Sequence, residues 1–303
     1  MNTIRAVWGL IAIVSVLATA RPTVGATIYV DNRMGSDSFD GSSSTVAPGQ
    51  MGPVRTIRQA LKLARPGDTV VLANHGVPYY ESVQLVGSRH SGMGLATGRQ
   101  PDRDCPPDVI PFRLEGNGAI ISGARPVPPG AWQRVGEDLW RFIPWRKGHY
   151  LLLKEGKPVP EETRLREPAT LSALPAGRWC VWKGAIYYRA QPLELPSERR
   201  FEYAADGVGL TLYNVRFVHI SNVTFRHFRL DGINAHDLCR CVVLENVTCE
   251  ENGRAGLCVA GSSRVQVRNS RLVNNRKHSL LVTERAEAAL EQVQLSQPPT
   301  LRE

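Results

Sequence analysis

The side chains able to do chemistry crowd into one stretch of this 303-residue chain. Between positions 226 and 284 stand the carboxylates Asp231, Asp237, Glu250, Glu251 and Glu284 and the imidazoles His227, His236 and His278. The cations Arg226, Arg229, Arg254, Arg276 and Lys277 stand among them. Two carboxylates roughly 5–9.5 Å apart, one of them held protonated, can hydrolyse a glycosidic bond. Asp231 with Glu251, or Asp237 with Glu284, would supply such a pair. A base flanked by cations can instead remove the proton next to a neutralised carboxylate and eliminate. Arg254 or Lys277 would then be the base, with His278 or His236 as partner. The catalytic candidates are therefore Asp231, Glu251, Asp237 and His278.

Something must bring these residues together, and a repeat does. Four segments align around Asn222, Asn246, Asn269 and Gln292, at spacings of 24, 23 and 23. A second column keeps the same stride: Asp231-Gly232-Ile233, Ala255-Gly256-Leu257, His278-Ser279-Leu280. Each repeat reads as three short strands with alternating apolar residues and polar turns, too short to bury a face alone. Stacked as coils of parallel strands about 4.8 Å apart, they would share one core. The Asn column would then form a ladder buried in tight turns, which argues against glycosylation of the Asn-X-Thr sequons at Asn222 and Asn246.

Registering by the stride makes neighbours of His227, Glu251 and Asn274; of Arg229, Gly253 and Arg276; of Leu230, Arg254 and Lys277; and of Asp231, Ala255 and His278. Alternation along the third strand turns Ile233, Leu257 and Leu280 inward, and Asn234 and Cys258 outward. The binding candidates on this face are Arg229, Asn234, His236, Arg254, Arg276 and Lys277. The basic columns suit carboxylates or sulfates. No adjacent-coil pair of carboxylates shares a column, which weakens the hydrolytic reading.

The N-terminal block opens with Thr27-Ile28-Tyr29-Val30-Asp31 and a Gly/Ser/Asp loop. Ile57, Leu61 and Ala64 follow at helical spacing, Pro66-Gly67 is a stop, and Asp68–Leu72 is a β-branched strand. With the repeats, this block resembles the pectin-lyase-like right-handed β-helix superfamily over about 27–122 and 204–296. The resemblance implies an all-β fold, a right-handed parallel β-helix with an N-terminal capping helix. It also implies a site on one strand face and its flanking turns. Such relatives often hold calcium there. Asp231, Asp237 and Glu251 are sparse for that, and Asp31, Asp37 and Asp40 lack ligand spacing, so no metal residue is assigned and calcium stays an open option.

From 123 to 203 the repeat disappears. All five Trp beyond the leader lie here: Trp132, Trp140, Trp145, Trp179 and Trp182. Strand-like runs at Leu139–Ile143, Tyr150–Lys154, Arg178–Trp182 and Ala185–Arg189 make this a small inserted β-domain. Its run Leu174-Pro175-Ala176-Gly177-Arg178-Trp179 through Ile186-Tyr187-Tyr188-Arg189 resembles the β-rich insertion of some secreted glycoside hydrolases of the superfamily. Most of its aromatics should form its own core. Trp145, between Pro144 and Arg146, is the exposed candidate for stacking on a sugar.

Arg5, the apolar run from Ala6 to Ala20 and the small residues around Ala20 and Ala26 describe a secretory leader over 1–26. Its removal takes Arg5 and Arg21 and lowers the net charge from +9 to +7. A basic protein placed outside the cytoplasm, secreted or in the periplasm or envelope, is biased toward acidic polymers. Nucleic acid is not expected as a partner, nor is a membrane once the leader is cut. The six Cys fit no zinc spacing, and Cys249 and Cys258, on expected strands, are as readily buried thiols as bridges. After the coils at 204–296 only a tail, 297–303, remains, so the last coil could close by self-association.

The sequence thus describes a β-helix protein that binds, and could cleave, an acidic polysaccharide by glycosidase chemistry. The open alternatives are a polysaccharide lyase, or a non-catalytic glycan-binding or envelope protein derived from a truncated paralogue.

Overall fold

The computed structural model describes residues 25–94, 109–164 and 168–302. The expected leader, apart from Gly25 and Ala26, and Cys105 lie outside the described residues.

The chain starts as its pattern predicts. Strand Thr27–Val30 pairs in parallel with Thr69–Leu72. Between them lies the helix Ile57–Leu63, whose N-cap Thr56 accepts from the Gln59 N–H at 3.1 Å. The Glu81 carboxylate takes up the free Ile57 and Arg58 N–H groups at 2.9 and 3.0 Å. Ile57, Ala60 and Leu61 are buried, so the helix covers the first coil and hides an edge that would otherwise expose unpaired backbone.

The coil itself is two parallel sheets. The nine-stranded sheet passes from Thr27–Val30 and Thr69–Leu72 through Phe112–Ser122, Arg216–Arg226 and Arg240–Glu250 to Arg264–Arg268 and Glu287–Glu291. Arg271–Val273 and Gln294–Leu295 extend its later coils. The six-stranded sheet stacks Val83–Val86, Val208–Tyr213, Asp231–Asp237, Ala255–Val259, His278–Thr283 and Thr300–Arg302. Registers follow the stride. His219, Val243, Gln266 and Ala289 form one rung series, and Ile233, Leu257 and Leu280 another. Leu114, Ile220, Leu244 and Val267 point inward and share one continuous core with Ile233 and Leu257. This is the all-β right-handed parallel β-helix that the repeat implies.

Two expectations change. The first and second strands of a repeat fuse into single 11-residue strands, Arg216–Arg226 and Arg240–Glu250. One residue in the left-handed region makes each corner, Asn222 at φ 54° and Asn246 at φ 51°, so the ladder continues on both sides. In the next coil Asn269, at φ 48°, separates Arg264–Arg268 from Arg271–Val273. The Asn column is also not buried. Asn246 and Asn269 are exposed and Asn222 is half-buried, because the corner turns its side chains outward. Asn246 still donates to Asn222 Oδ1 at 2.5 Å, and Asn222 donates to Glu115 at 2.9 Å.

The insertion folds as two four-stranded antiparallel sheets. One contains Ala124–Pro126, Leu152–Lys154, Lys157–Pro158 and Phe201–Ala204. The other contains Gln133–Arg134, Leu139–Phe142, Trp179–Trp182 and Ala185–Arg189. Its own core holds Trp132, Phe142, Trp179, Tyr188 and Phe201, with Trp132 and Phe201 edge-to-face at 5.2 Å. Trp140 and Trp182 are half-buried, and Trp145 is 86% exposed. Cys180, Cys239, Cys249 and Cys258 are buried free thiols, and Cys241 is disulfide-bonded. No helix among the described residues is long and apolar enough to cross a membrane.

Candidate functional site

The turn before each strand of the six-stranded sheet places the charged residues. Its geometry comes from a column of residues the stride also aligns: Phe228, Asn252 and Asn275. Phe228 and Asn252 are fully buried and Asn275 nearly so. Asn252 Oδ1 accepts the Phe228 N–H at 3.0 Å, and Asn275 Oδ1 accepts the Asn252 N–H at 3.1 Å. The two amides also bond each other at 2.9 Å. The buried amide ladder of this coil is therefore here, not at Asn222 and Asn246. One residue earlier, His227 and Glu251 stand in left-handed conformation and pair at 2.8 Å. The His227 hydrogen bond holds the Glu251 carboxyl below its usual range.

Asp231, Asp237 and Glu251 are each engaged by a different partner. Asp231 is fully buried and clasped by Arg254, Nε to Oδ1 at 2.8 Å and Nη2 to Oδ2 at 2.5 Å. Asn234 donates to the same carboxylate at 3.2 Å. Asp237 lies in the turn after the strand and accepts from the Ser262 and Leu238 N–H groups at 2.9 and 2.7 Å, which hold it below its usual range. Glu284 is exposed. Carboxylates committed in this way to three separate partners do not fit a calcium cage. Asp31, Asp37 and Asp40 likewise serve turns. Asp31 accepts the Arg33 and Met34 N–H groups, Asp37 those of Arg55 and Thr56, and Asp40 that of Ser42. Among the described residues no group of three or more His, Cys, Asp or Glu is arranged to hold a metal ion.

Two of the expected binding residues dock the insertion instead. Arg229 donates to the Lys147 carbonyl at 3.0 Å. Arg276 donates to the Tyr150 carbonyl at 2.6 Å, clasps Glu161 and lies 5.7 Å from the centre of the Trp179 ring. Burial pushes Glu161 above the usual carboxyl range even so. Gly253, between Arg229 and Arg276 in the column, lets the insertion come close. A Cβ there would sit 2.5 Å from the His149 carbonyl oxygen and against the Arg229 carbonyl.

The docked loop brings in a residue that sequence reasoning missed. His149 is the one histidine of 123–203, and nothing in its spacing flags it. Gly148 and His149 are both left-handed, at φ 83° and 52°, an arrangement that stores strain in a non-glycine residue. Its Nδ1 faces the Gly253 carbonyl at 3.3 Å. A carbonyl only accepts, so Nδ1 carries the proton and Nε2 keeps a free lone pair. Desolvation first, and then Lys277, Arg254 and Arg229, press its pKa below 6.5. His278 is pressed down in the same way, by desolvation and by Arg302, Lys277 and Arg254, while Nδ1 meets Thr300 Oγ1 at 2.9 Å.

Where the insertion meets the six-stranded sheet, Arg254 and Lys277 thus act on both His149 and His278. Lys277 is exposed. Trp145 heads the loop that reaches the coil. Farther along the sheet, exposed His236 stacks against Tyr213 at 5.9 Å, and Asn234 is half-buried. Cys258 faces outward as expected, but packs under cover with Ala255 and Leu281. Of the expected residues, the structure brings Arg254, Lys277 and His278 together, with Arg229 near enough to act on the same His149. Asp237 and His236 lie at the other end of the strand.

Residues 198–294 match the family model described as "Right handed beta helix region". The chain is a right-handed parallel β-helix. A solved structure described as "The complex structure of XylC with xylose" is 12% identical, with a TM-score of 0.58. The similarity covers 91% of this chain and 60% of that one. A second, described as "Glycoside hydrolase", is 12% identical, with a TM-score of 0.52, covering 86% of this chain and 68% of that one. This chain therefore spans about 60% of the length of the first. At such identities the likeness is one of fold. No curated protein matches the sequence.

Proposed function

We propose that this is an exported carbohydrate-active protein that binds an acidic polysaccharide where the insertion meets the coil, the junction serving as its binding cleft, and cleaves it there. One observation carries the reading. Two imidazoles from different parts of the chain, His149 and His278, have their pKa values lowered by desolvation and by the same two cations, Arg254 and Lys277. Cations paired with neutral bases suit a sugar carboxylate and the carbon next to it. The free Nε2 of His149 takes the proton from that carbon. The C–H electron pair becomes a carbon–carbon double bond, and the glycosidic oxygen leaves with its own pair and picks up a proton from water. Trp145 offers an exposed ring to a neighbouring sugar. The leader-like N-terminus and the disulfide at Cys241 support export.

Hydrolysis is the second reading. The descriptions of the two similar structures, a xylose complex and a glycoside hydrolase, favour it. The committed carboxylates Asp231 and Asp237 give it less support. A panel of neutral, uronate-bearing and sulfated polysaccharides separates the two. Elimination produces unsaturated ends that absorb in the ultraviolet, and hydrolysis produces reducing ends without them. Binding of acidic polymers with neither product leaves a glycan-binding protein. No binding of any acidic polymer refutes the reading.

A further inference from the structure

The six-stranded face begins, at its N-terminal edge, with a cavity outside the cleft. It has a volume of about 440 Å³ and is lined by Arg58, Lys62, Ser82, Gln84 and Arg89, with His90 behind them. A second hollow of about 300 Å³ shares Arg58 and Lys62. All three cations are exposed. The nearby carboxylates are engaged with backbone. Glu81 holds the Ile57 and Arg58 N–H groups, and Asp37 holds those of Arg55 and Thr56. His90 adds no charge. Its Nδ1 accepts from the Val86 N–H at 3.0 Å, its Nε2 donates to the Leu61 carbonyl at 3.0 Å, and burial lowers its pKa. Arg89 spends one nitrogen on the Lys62 carbonyl at 3.0 Å. What lines the cavity is a cluster of three exposed cations, with the Glu81 and Asp37 carboxylates on the adjoining hollow.

Its place in the fold gives this cluster a direction. Gln84, Thr211, Asn234, Cys258 and Leu281 lie on successive strands of one row. The cavity therefore stands three to four ladder steps, roughly 14–19 Å, from the strands beside Arg254 and Lys277. We propose that it is a second anion subsite, which takes a carboxylate- or sulfate-bearing sugar of the polymer whose other acidic sugar lies in the cleft. The bound chain then runs across the coils, along the six-stranded face. This rests on the reading of the cleft given above.

The test is calorimetric titration of the full chain with size-graded oligouronides and, separately, size-graded sulfated oligosaccharides. Native protein is compared with the double variant Arg58→Gln/Lys62→Gln. Both side chains are exposed, so melting should not change, and that is checked first. Fragments too short to span 14–19 Å should bind both proteins alike. Longer fragments should bind the variant about tenfold more weakly, the sum of two exposed ion pairs. The series that shows this length-dependent loss identifies the anion as carboxylate or sulfate. If long fragments bind both proteins equally, the subsite is wrong and the cleft stands. If native protein binds neither series at any length, the cleft reading fails and the subsite with it.

Discussion

Replacing Arg254 with Met tests which of two roles that residue plays. Asp231 is fully buried, and Arg254 supplies two of its three side-chain hydrogen bonds, at 2.8 and 2.5 Å. The variant keeps the packing of the Arg stem but leaves the carboxylate with Asn234 alone, at 3.2 Å. Breaking a buried pair from one side costs about 3–5 kcal/mol, since the remaining charge is uncompensated. The Arg254 side chain is 29% exposed, so water reaches one end of the pair and the lower figure applies. With a urea m-value of about 3 kcal/mol/M, the midpoint should fall by about 1 M. The double variant Asp231→Asn/Arg254→Met removes the stranded charge and should recover most of that loss. If Arg254→Met unfolds at the native midpoint, Asp231 does not depend on Arg254. Asp231 would then be open to the catalytic role its position first suggested.

Other outcomes follow from the same geometry. His149→Gln should abolish cleavage while leaving affinity for acidic polymer within about threefold, because it removes a base and no charge; a loss of binding with turnover intact would contradict the assignment. Trp145→Ala should leave the melting temperature unchanged, the ring being 86% exposed. It should weaken glycan binding by about 2–12-fold, the range for one aromatic contact. Gly253→Ala should push the His149 backbone away from the coil, since its new Cβ would lie 2.5 Å from the His149 carbonyl oxygen. Limited proteolysis between 143 and 150 should then quicken. Stability should fall as the pH drops below about 6.5. His90, His149 and His278 have folded-state pKa values under the ordinary 6.5, so the unfolded chain binds their protons first. A denaturation series from pH 8 to pH 5 that shows no loss would contradict those burials.

The coil was legible because its signal is periodic. His219, Val243, Gln266 and Ala289 keep register because each turn of chain has nearly equal length, and equal length is a property of sequence. The core positions Ile233, Leu257 and Leu280 follow from alternation alone. Trp145 could be singled out because Pro144 and Arg146 flank it, outside any apolar alternation. Which amides would ladder was not legible. Asn222 and Asn252 recur with the same stride, and only the sense of each corner puts Asn252 inside and Asn246 outside.

The roles of the charged columns were decided by tertiary structure. Stride places Arg229, Arg254, Arg276 and Lys277 on neighbouring turns but does not say what faces them. The insertion puts the carbonyls of Lys147, 82 residues from Arg229 along the chain, and Tyr150 against Arg229 and Arg276 and leaves Lys277 open. His149 reaches the cleft for the same reason, through a contact 104 residues long in sequence. A repeat specifies neighbours along its own axis. What docks across that axis depends on the shape of a separately folded unit, and no local pattern records it.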